Sequence, residues 1–375
     1  MRSLERGRRH ETLGTHIGRI AYAYGFTASP VALSKKALAN AGNEISDRTK
    51  AAMALMSAIA SPHGNAGAAP MPAQAWGVAQ KGSGTVITFA ITSTKEAIAH
   101  ALIVKTALSI AEIAGYTDLS VGISSVGDAE SRKRFTRELT NFFRKNLDAL
   151  SPELRQVAAR NPDEAYRMLL RESHPLLARA PRSIDYLSEN SRRTMLSALS
   201  LFESVGIPYT LEGRLPAEPN IHSEILFSIV GTAKSGSRHE IASGGRYDDH
   251  FRRERGKPES AVAIAIEIGG RVVCDSIEEQ PSCFVVHVGE QAKLRAFSVL
   301  EALWRARISV GQALMAENLR EQTERGSLSN TRYLAIIGQR ETLDNTVIVR
   351  SVSTQTQTII PVDKLVGYVT RSHRE

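Results

Sequence analysis

The sequence is poor in cysteine and has no long apolar run. Among its 375 residues only two are cysteines, Cys274 and Cys283, which argues against a disulfide scaffold and against a cysteine-based zinc site. No apolar stretch reaches the roughly 18 residues that a membrane helix needs, because Lys, Glu, Gly or Ser interrupts each one. We therefore expect a protein of the reducing cytoplasm with no membrane partner.

The charge balance is basic. Lys and Arg together number 47 against 39 Asp and Glu, which gives a formal net charge of +8 and an isoelectric point near 9.5. A basic surface of this size attracts polyanions, and nucleic acid is the first candidate. A basic protein that is merely soluble would show the same balance, so charge alone does not decide between the two.

Residues 1–277 are predicted to form one α/β domain. The segment TVITFAI alternates as a strand does, and a helix is predicted over 93–114. We expect Ser93 or Thr94 to cap this helix, and its charged residues, Lys105 among them, to lie on its surface.

Two further blocks complete the predicted organisation. Residues 128–205 are charged, helical and punctuated by prolines, and they read as a helical insertion. The short apolar segments after it, EILFSIVG, HEIASGGRYDDH and AVAIAIEIGG, predict an antiparallel sheet. Residues 281–375 show a β-α-β-α-β-β order, which predicts a separate small α/β domain. The predicted fold class is α/β, of the α+β kind.

The most specific motif lies in ASGGRYDDH. Gly244, Gly245, Arg246, Tyr247 and Asp248 resemble the Gly-Gly-Arg-Tyr-Asp signature of the histidyl-tRNA synthetase family, which are class II aminoacyl-tRNA synthetases. The motif alone is short, but other blocks follow the family in order. SVGDAESRKRFTREL is similar to its helical insertion, and VVHVGEQAK, YLAIIGQRE and VIVRSVSTQTQTIIPVDKLV are similar to its anticodon-binding domain.

The resemblance implies a fold and a set of ligands. The fold would be a class II synthetase-like antiparallel sheet core with a helical insertion, followed by a small anticodon-binding-like α/β domain, and the chain would pair as a homodimer. Family members condense L-histidine with ATP and Mg²⁺ and pass the histidyl group to tRNA. By this resemblance the five signature residues would hold histidine. A glycine turn kept for folding is the alternative that the residues leave open.

The segment before the signature departs from the family. Active members resemble Arg-Gly-Leu-Asp-Tyr-Tyr there, whereas this chain has LPAEPNIHSEILF. Ala217 stands where the Arg would be, Asn220 where the Asp would be, and Ile221 and His222 where the tyrosines would be. Because a cation near the phosphates stabilises the charge of the transition state, its loss should impair adenylate formation severely. We interpret His222 as a structural histidine rather than a replacement base.

The expected ATP-binding region is also depleted. Residues 70–91 contain no Arg and no Glu, and Lys81 is their only fixed charge. The Gly-Ser-Gly at 82–84 is interpreted as a hairpin turn, since no helix start with Lys-Ser/Thr follows it as in a phosphate loop. Arg271 is the remaining ATP candidate, although it is displaced by about one or two positions from the family's arginine, a shift that turns a strand residue to the other face.

Basic residues provide candidate tRNA contacts. Arg252, Arg253 and Lys257 follow the signature directly, and Arg320 lies in the last module. Such side chains neutralise phosphates in a salt-dependent way. A solvated charged face is the alternative.

We interpret the chain as a histidyl-tRNA-synthetase-family protein in which attachment of histidine to tRNA is impaired or lost. We assign no catalytic residue and no metal site, and ATP with Mg²⁺ is expected only if catalysis is retained. One alternative is a non-catalytic regulatory subunit that resembles the histidine-sensing partner of ATP phosphoribosyltransferase, which usually lacks the last module. The other is a tRNA-binding factor with neither activity.

Overall fold

The computed structural model describes residues 12–29, 45–60, 73–218, 220–256, 259–274 and 280–371. The elements of the first part, in chain order, are α1 (Leu13–Ala23), β1 (Thr27–Ala28), α2 (Asp47–Ile59), β2 (Ala73–Lys81), β3 (Gly84–Thr92), α3 (Ile98–Ala114), β4 (Thr117–Gly127), α4 (Ala129–Lys145), α5 (Pro152–Arg160), α6 (Pro162–Arg171), α7 (Glu189–Ser204), β5 (Tyr209–Leu211), β6 (Ser223–Thr232), β7 (Arg238–Arg246), α8 (Asp248–Arg255) and β8 (Ala261–Gly269).

These strands form one eight-stranded sheet in the order β1-β2-β3-β8-β7-β6-β4-β5. Its six inner strands pair antiparallel, as the sequence predicts, while β1 pairs parallel to β2 and β5 pairs parallel to β4 at the two edges. The Gly-Ser-Gly segment lies in the tight turn between β2 and β3, where Lys81 pairs with Gly84, so the hairpin interpretation is confirmed.

The two faces of the sheet carry side chains of different size. On one face the cross-strand partners are small: Gly245 opposes Ala263, which opposes Ala90 on β3. Helix α2 packs on this face, and its Leu55 and Met56 are fully buried there. Small side chains let a helix axis come close to a sheet, so α2 fills space that larger residues would occupy. The opposite face is apolar and bulky, and α1 and α3 cover it.

Helix α3 corrects two expectations. It begins at Ile98 behind Ala97, which makes no side-chain capping bond, so neither Ser93 nor Thr94 is its cap. Ser93 instead takes a φ of +59°, and Thr94 Oγ1 accepts a hydrogen bond from the backbone N–H two residues later. Lys105, expected on the surface, is only 8% exposed, because the last module covers this side of the helix.

The predicted insertion contains two packing environments. Helices α4, α5 and α6 enclose a small core of their own, centred on Leu139, Phe143 and Leu169. Helix α7 instead packs Met195 and Phe202 into the main core. The insertion proper is thus the part before α7, and α7 is a helix of the sheet domain.

The last module is a five-stranded sheet in the order β10-β9-β11-β12-β13. Its elements are β9 (Cys283–His287), α9 (Glu290–Arg305), β10 (Val310–Gln312), α10 (Leu319–Leu328), β11 (Tyr333–Ile337), α11 (Gln339–Asp344), β12 (Thr346–Ser351), β13 (Gln357–Pro361) and α12 (Leu365–Arg371). The predicted strand and helix order is confirmed, with the short α11 added between β11 and β12. No helix in the described part of the chain is both long and apolar enough to cross a membrane.

The two parts share one apolar core and a buried ionic contact. Glu301 on α9 is 4% exposed; it accepts a hydrogen bond from the Tyr24 hydroxyl, and its other oxygen lies 3.1 Å from Lys105 Nζ. Gln312 Nε2 donates to the Tyr24 carbonyl at 2.7 Å, beside Gly25, whose φ of +82° lies just after the end of α1. Two buried charges that face each other across a domain boundary stabilise only the arrangement in which both are paired.

We expect Glu301→Ala to lower the free energy of unfolding by about 3–5 kcal/mol, because it leaves the Lys105 ammonium buried and uncompensated. The double variant Lys105→Met with Glu301→Leu should recover most of this loss, since no isolated charge remains. The matched control is Glu189→Ala, whose carboxylate is 87% exposed and should change stability by no more than about 0.5 kcal/mol. Urea unfolding measures all four proteins, and equal effects of the two Glu→Ala variants would contradict the buried ion pair.

Candidate functional site

The two glycines of the signature lie inside strand β7 and not in a turn. Neither has a positive φ, so the glycine-turn alternative is wrong. A Cβ at Gly244 would lie 2.1 Å from the Ala263 carbonyl oxygen, and one at Gly245 would lie 2.6 Å from the Ile225 carbonyl oxygen. These positions require glycine because neighbouring backbones approach them from both adjacent strands.

The charges of the signature are used within the protein. Arg246 is 3% exposed; its Nε donates to Asp248 Oδ2 at 2.9 Å and its Nη2 donates to the Thr94 carbonyl at 2.7 Å. Asp248 Oδ1 accepts from the Ala261 N–H at 3.0 Å. The pair therefore ties the end of β7 to the start of β8 and to the segment before α3. Arg246 Nη1 is buried with no hydrogen-bond partner.

The signature tyrosine is part of the core. Tyr247 is 1% exposed, burial raises its pKa, and its hydroxyl hydrogen-bonds the Thr49 side chain. Its ring packs edge-on against the ring of His222, with centroids 4.7 Å apart. It holds α2 and the segment before β6 against the sheet.

A small cavity of about 100 Å³ lies on this face of the sheet. Gly244 and Ser243 on β7 line it together with Thr49 of α2, and the ion pair between Arg48 and Glu240 spans it. Small-molecule sites usually enclose roughly 300–1,000 Å³. Of the five predicted histidine-pocket residues, Gly244 is the one that faces this cavity.

A second cavity of about 830 Å³ lies between the insertion and the sheet domain. Its walls come from α4, α6, the segment before β6 and α8. Arg252 and Arg253 line it, and Arg252 donates to Asp249 at 3.0 Å. Other polar residues of the wall are Arg132, Asn161, Asp163, Tyr166, Glu218 and His222. Lys257, the third predicted tRNA contact of this region, falls outside the described residues.

His222 stands between the two cavities and lines both. Its Nδ1 accepts a hydrogen bond from the Glu218 N–H at 2.9 Å, and burial lowers its pKa to about 4. The ring is therefore neutral with its proton on Nε2. That N–H donor is buried and has no partner. The sequence analysis interpreted His222 as a structural residue. Its Nδ1 contact has this role, whereas its Nε2 makes no hydrogen bond.

Tyr166 on α6 is the functional candidate that sequence reasoning missed. It is 7% exposed, and its hydroxyl is buried without a hydrogen-bond partner. Burial raises its pKa to about 12. Its ring packs edge-on against Phe135 of α4 at 5.5 Å between centroids. The spacing of α6 predicts only an amphipathic helix, so no local signal separates this tyrosine from an ordinary core residue.

The remaining predicted site residues lie apart from both cavities. Arg271 is exposed just beyond the end of β8, and Arg320, whose side chain is 85% exposed, pairs with Glu324 on α10 at 2.9 Å. Lys81, the one fixed charge of the expected ATP-binding region, pairs with Asp47 at 3.3 Å and Glu267 at 3.2 Å. The described residues hold no group of three or more His, Cys, Asp or Glu that could bind a metal ion.

Comparison with known proteins agrees with this architecture. Residues 282–372 match the anticodon binding domain family. The histidine–tRNA ligase of Symbiobacterium thermophilum is 26% identical over 281 residues, covering 72% of this chain and 64% of that protein. That of Geobacillus kaustophilus is 27% identical over 272 residues, covering 70% and 64%. These alignments thus span a little under two thirds of the relatives' length.

Among solved structures, apo histidyl-tRNA synthetase of S. aureus is similar to this chain with a TM-score of 0.51 and 19% identity, over 98% of this chain and 100% of that one. The eight-stranded sheet and its helices have a class II synthetase-like fold, and residues 282–372 match an anticodon-binding domain. The sequence relationship is more specific. By sequence the chain is similar to histidine–tRNA ligases, at 26–27% identity over about 70% of its length.

We expect Gly244→Ala to lower the free energy of unfolding by about 1–3 kcal/mol or more, because its methyl group must displace the backbone of β8. Gly269→Ala is the matched control, since a Cβ there meets no atom within 4 Å and should cost no more than about 0.5 kcal/mol. Chemical denaturation followed by circular dichroism compares the two. A Gly244→Ala protein as stable as the control would show that β7 and β8 can separate freely.

Stability should depend on the protonation of His222. Its pKa falls from 6.5 to about 4 on folding, so the unfolded chain binds a proton that the folded chain refuses between these values. Above pH 6.5 this histidine is neutral in both states and does not affect the free energy of unfolding. As the pH falls from 6.5 towards 4, the free energy of unfolding decreases by about 1.4 kcal/mol per pH unit. His222→Gln should flatten the curve by that slope, whereas His239→Gln, at an exposed position, should not. Parallel curves for wild type and His222→Gln would refute the assignment.

Proposed function

We propose that this protein binds tRNA and does not activate histidine. The charges around the expected catalytic face are already paired within the chain, which supports the proposed absence of histidine activation. Arg246 is held by Asp248, Arg48 by Glu240, and Lys81 by two carboxylates. Because a neighbouring carboxylate neutralises most of its charge, such a cation attracts a phosphate only weakly.

Adenylate formation needs cations that point at the phosphates of ATP, where charge develops in the transition state. The arginine that active relatives of the resembled family carry before the signature is Ala217 here. Arg271 is exposed beyond the sheet edge and lines neither cavity described above. The described residues thus do not fit ATP and Mg²⁺ in an adenylating arrangement, and we derive no catalytic step through them.

Histidine binding at the signature is also disfavoured. The small cavity of about 100 Å³ is below the usual size of a ligand site, and Tyr247 has its hydroxyl engaged with Thr49. This weighs against a histidine-sensing subunit, and so does the presence of an anticodon-binding domain. The predicted homodimer and cytoplasmic location fit a tRNA-binding protein equally well and remain proposals.

Binding of tRNA is supported by the anticodon-binding domain over 282–372 and by the net charge of +8. Arg320 is a candidate phosphate contact on α10, since its side chain is 85% exposed and its pair with Glu324 is a solvated surface pair, which is weak and can be exchanged for a phosphate. Arg252 and Arg253 supply cations at the rim of the larger cavity. Exposed arginines of this kind bind phosphate through counterion release.

We expect the purified protein to give no ATP–pyrophosphate exchange with histidine, and to bind tRNA with an affinity that falls steeply as salt rises. Arg320→Gln should reduce the slope of log affinity against log salt by about 1. Arg193→Gln, a substitution of an exposed arginine on α7, is the control and should leave the slope unchanged. Gel shifts across a salt series measure these slopes.

The two halves of the proposal fail separately. Exchange above background would refute the loss of adenylation and leave tRNA binding standing. Salt-independent or absent tRNA binding, with exchange also absent, would refute the tRNA half and favour the histidine-sensing alternative.

A further inference from the structure

We propose that Glu224 is a proton-sensitive switch between the sheet domain and the helical insertion. When Glu224 is protonated, Asp128, at which the chain enters the insertion, lies beside it; when Glu224 is ionised, it repels the Asp128 carboxylate and loosens that contact. Helices α4 and α6 of the insertion form walls of the larger cavity, so the switch sets how far that cavity opens. The inference concerns a movement within the chain and does not depend on the proposed tRNA binding.

The chain enters and leaves the insertion at one point. It enters through Asp128, the N-cap of α4, and leaves through Ser188, the N-cap of α7. The Ser188 hydroxyl donates to Asp128 Oδ2 at 2.8 Å, and the Ser188 N–H donates to Ser131 Oγ at 2.8 Å. The Asp128 N–H donates to Ser191 Oγ at 3.0 Å. Because α4, α5 and α6 enclose a core of their own, the insertion can turn as one body about these bonds.

Glu224 of β6 brings the sheet domain into contact with this point. It lies in a β-bulge opposite Gly127, where the pairing register with β4 shifts, and its φ of +48° is in the left-handed region. Residues other than glycine rarely adopt that conformation, and where they do it often marks a switch region or a site. Ser125 Oγ donates to the Glu224 carbonyl at 2.9 Å, and Ser191 Oγ donates to Glu224 Oε1 at 3.1 Å. The bulge thus directs the carboxyl group to the first turn of α7.

The Glu224 carboxyl group is poorly compensated when it is ionised. Its Oε2 is buried and has no hydrogen-bond partner in the part of the chain that the structure describes. Burial raises the pKa of Glu224, and the carboxylates of Asp128 on the α4 side and Asp248 after β7 add to that effect. The Ser191 hydroxyl, from α7, and the Arg246 guanidinium, at the end of β7, oppose it. Arg246 is itself paired with Asp248 at 2.9 Å, so its charge does little for Glu224.

Glu224 and Asp128 therefore form a pair whose pKa values lie apart. For Asp128, burial acts against ionisation, but hydrogen bonds from Ser131 and Ser188 outweigh it and lower the pKa. Asp128 is thus ionised over the range in which Glu224 loses its proton. Ionisation of Glu224 then places a second negative charge beside the first, and the two repel each other. Because Asp128 begins the insertion, the repulsion acts where the insertion is attached.

Acid conditions favour the docked insertion. The docked arrangement is stabilised fully below the ordinary pKa of glutamate, and that stabilisation is lost as the pH rises through the raised pKa of Glu224. Moving the insertion away from the bulge relieves the repulsion and leaves the strands of the sheet paired. Arg132 of α4 pairs with Asp249 of α8, and this contact limits how far the insertion moves. We therefore expect the insertion to be docked at acid pH and more open at neutral pH.

Double electron–electron resonance measures the movement. Spin labels are attached at Lys145→Cys near the end of α4 and at Arg193→Cys on α7, both exposed positions, in a Cys274→Ala background. The other native cysteine, Cys283, should not react with the label, because burial raises its thiol pKa to about 12. We expect the distance distribution between the labels to shift and broaden from about pH 5 to about pH 8.

Two variants separate the switch from a general loosening. Glu224→Gln keeps the shape of the side chain and cannot ionise, so it should show the acid distribution at every pH. Asp128→Asn keeps an N-cap acceptor for α4 and removes the like charge, so it should also stay docked. The matched control is Glu172→Gln, a substitution of an exposed carboxylate at the end of α6, which should keep the wild-type response. His222 titrates in all these proteins, so its protonation does not account for a difference between them.

Circular dichroism at both ends of the pH range checks that each variant is folded. The inference is overturned if the wild-type distribution does not change with pH, or if the change persists in Glu224→Gln. An Asp128→Asn protein that is open at every pH would overturn it as well, because the cap and not the charge would then hold the insertion. None of these results bears on tRNA binding through residues 282–372.

Discussion

The close approach of the β6, β7 and β8 backbones at Gly244 and Gly245 determines how α2 and the signature side chains pack on the sheet. Because neither position has room for a methyl group, β6, β7 and β8 come together with a smooth face of small residues on one side. Helix α2 can then lie directly on that face, and its Thr49 reaches Tyr247 at the end of β7. The same strand end delivers Arg246 to Asp248 and to the Thr94 carbonyl, so the signature acts as the junction of β7, β8, α2 and the segment before α3.

That junction changes the meaning of the motif. A Gly-Gly-Arg-Tyr-Asp run is readily taken as a ligand pocket, since it combines flexible backbone with charge and an aromatic hydroxyl. Here each polar group is engaged inside the protein, apart from Arg246 Nη1. Packing alone therefore accounts for the motif, although Ala217 stands where the resembled family has an arginine. His222 and Tyr166, each with a buried polar atom that has no partner in the described part of the chain, instead line the larger cavity.

Sequence reasoning predicted what depends on local pattern and missed what depends on tertiary neighbours. The strands, the hairpin at 82–84 and the five-stranded last module follow from alternation, turn residues and apolar runs. The start of α3 could not be predicted, because Ser93 is drawn to Glu259 and out of the capping position. Lys105 looks solvated from its own helix, and only Glu301, nearly two hundred residues later, explains its burial. Nothing in the sequence distinguishes Tyr166 from a core tyrosine, because a hydroxyl without a hydrogen-bond partner is recognised only from the three-dimensional structure.

The same long-range contacts govern how the domains work together. An anticodon-binding domain that swings on a linker could follow a tRNA, but this one shares an apolar core with the sheet domain and is tied to it by Glu301, Lys105 and Tyr24. Separation would expose the shared apolar core to water, which is costly. In the proposed tRNA complex, α10 and the arginines at the rim of the larger cavity would therefore keep a fixed spacing. Recognition would then depend on the shape of the RNA as a whole, because the shared core holds the two domains together.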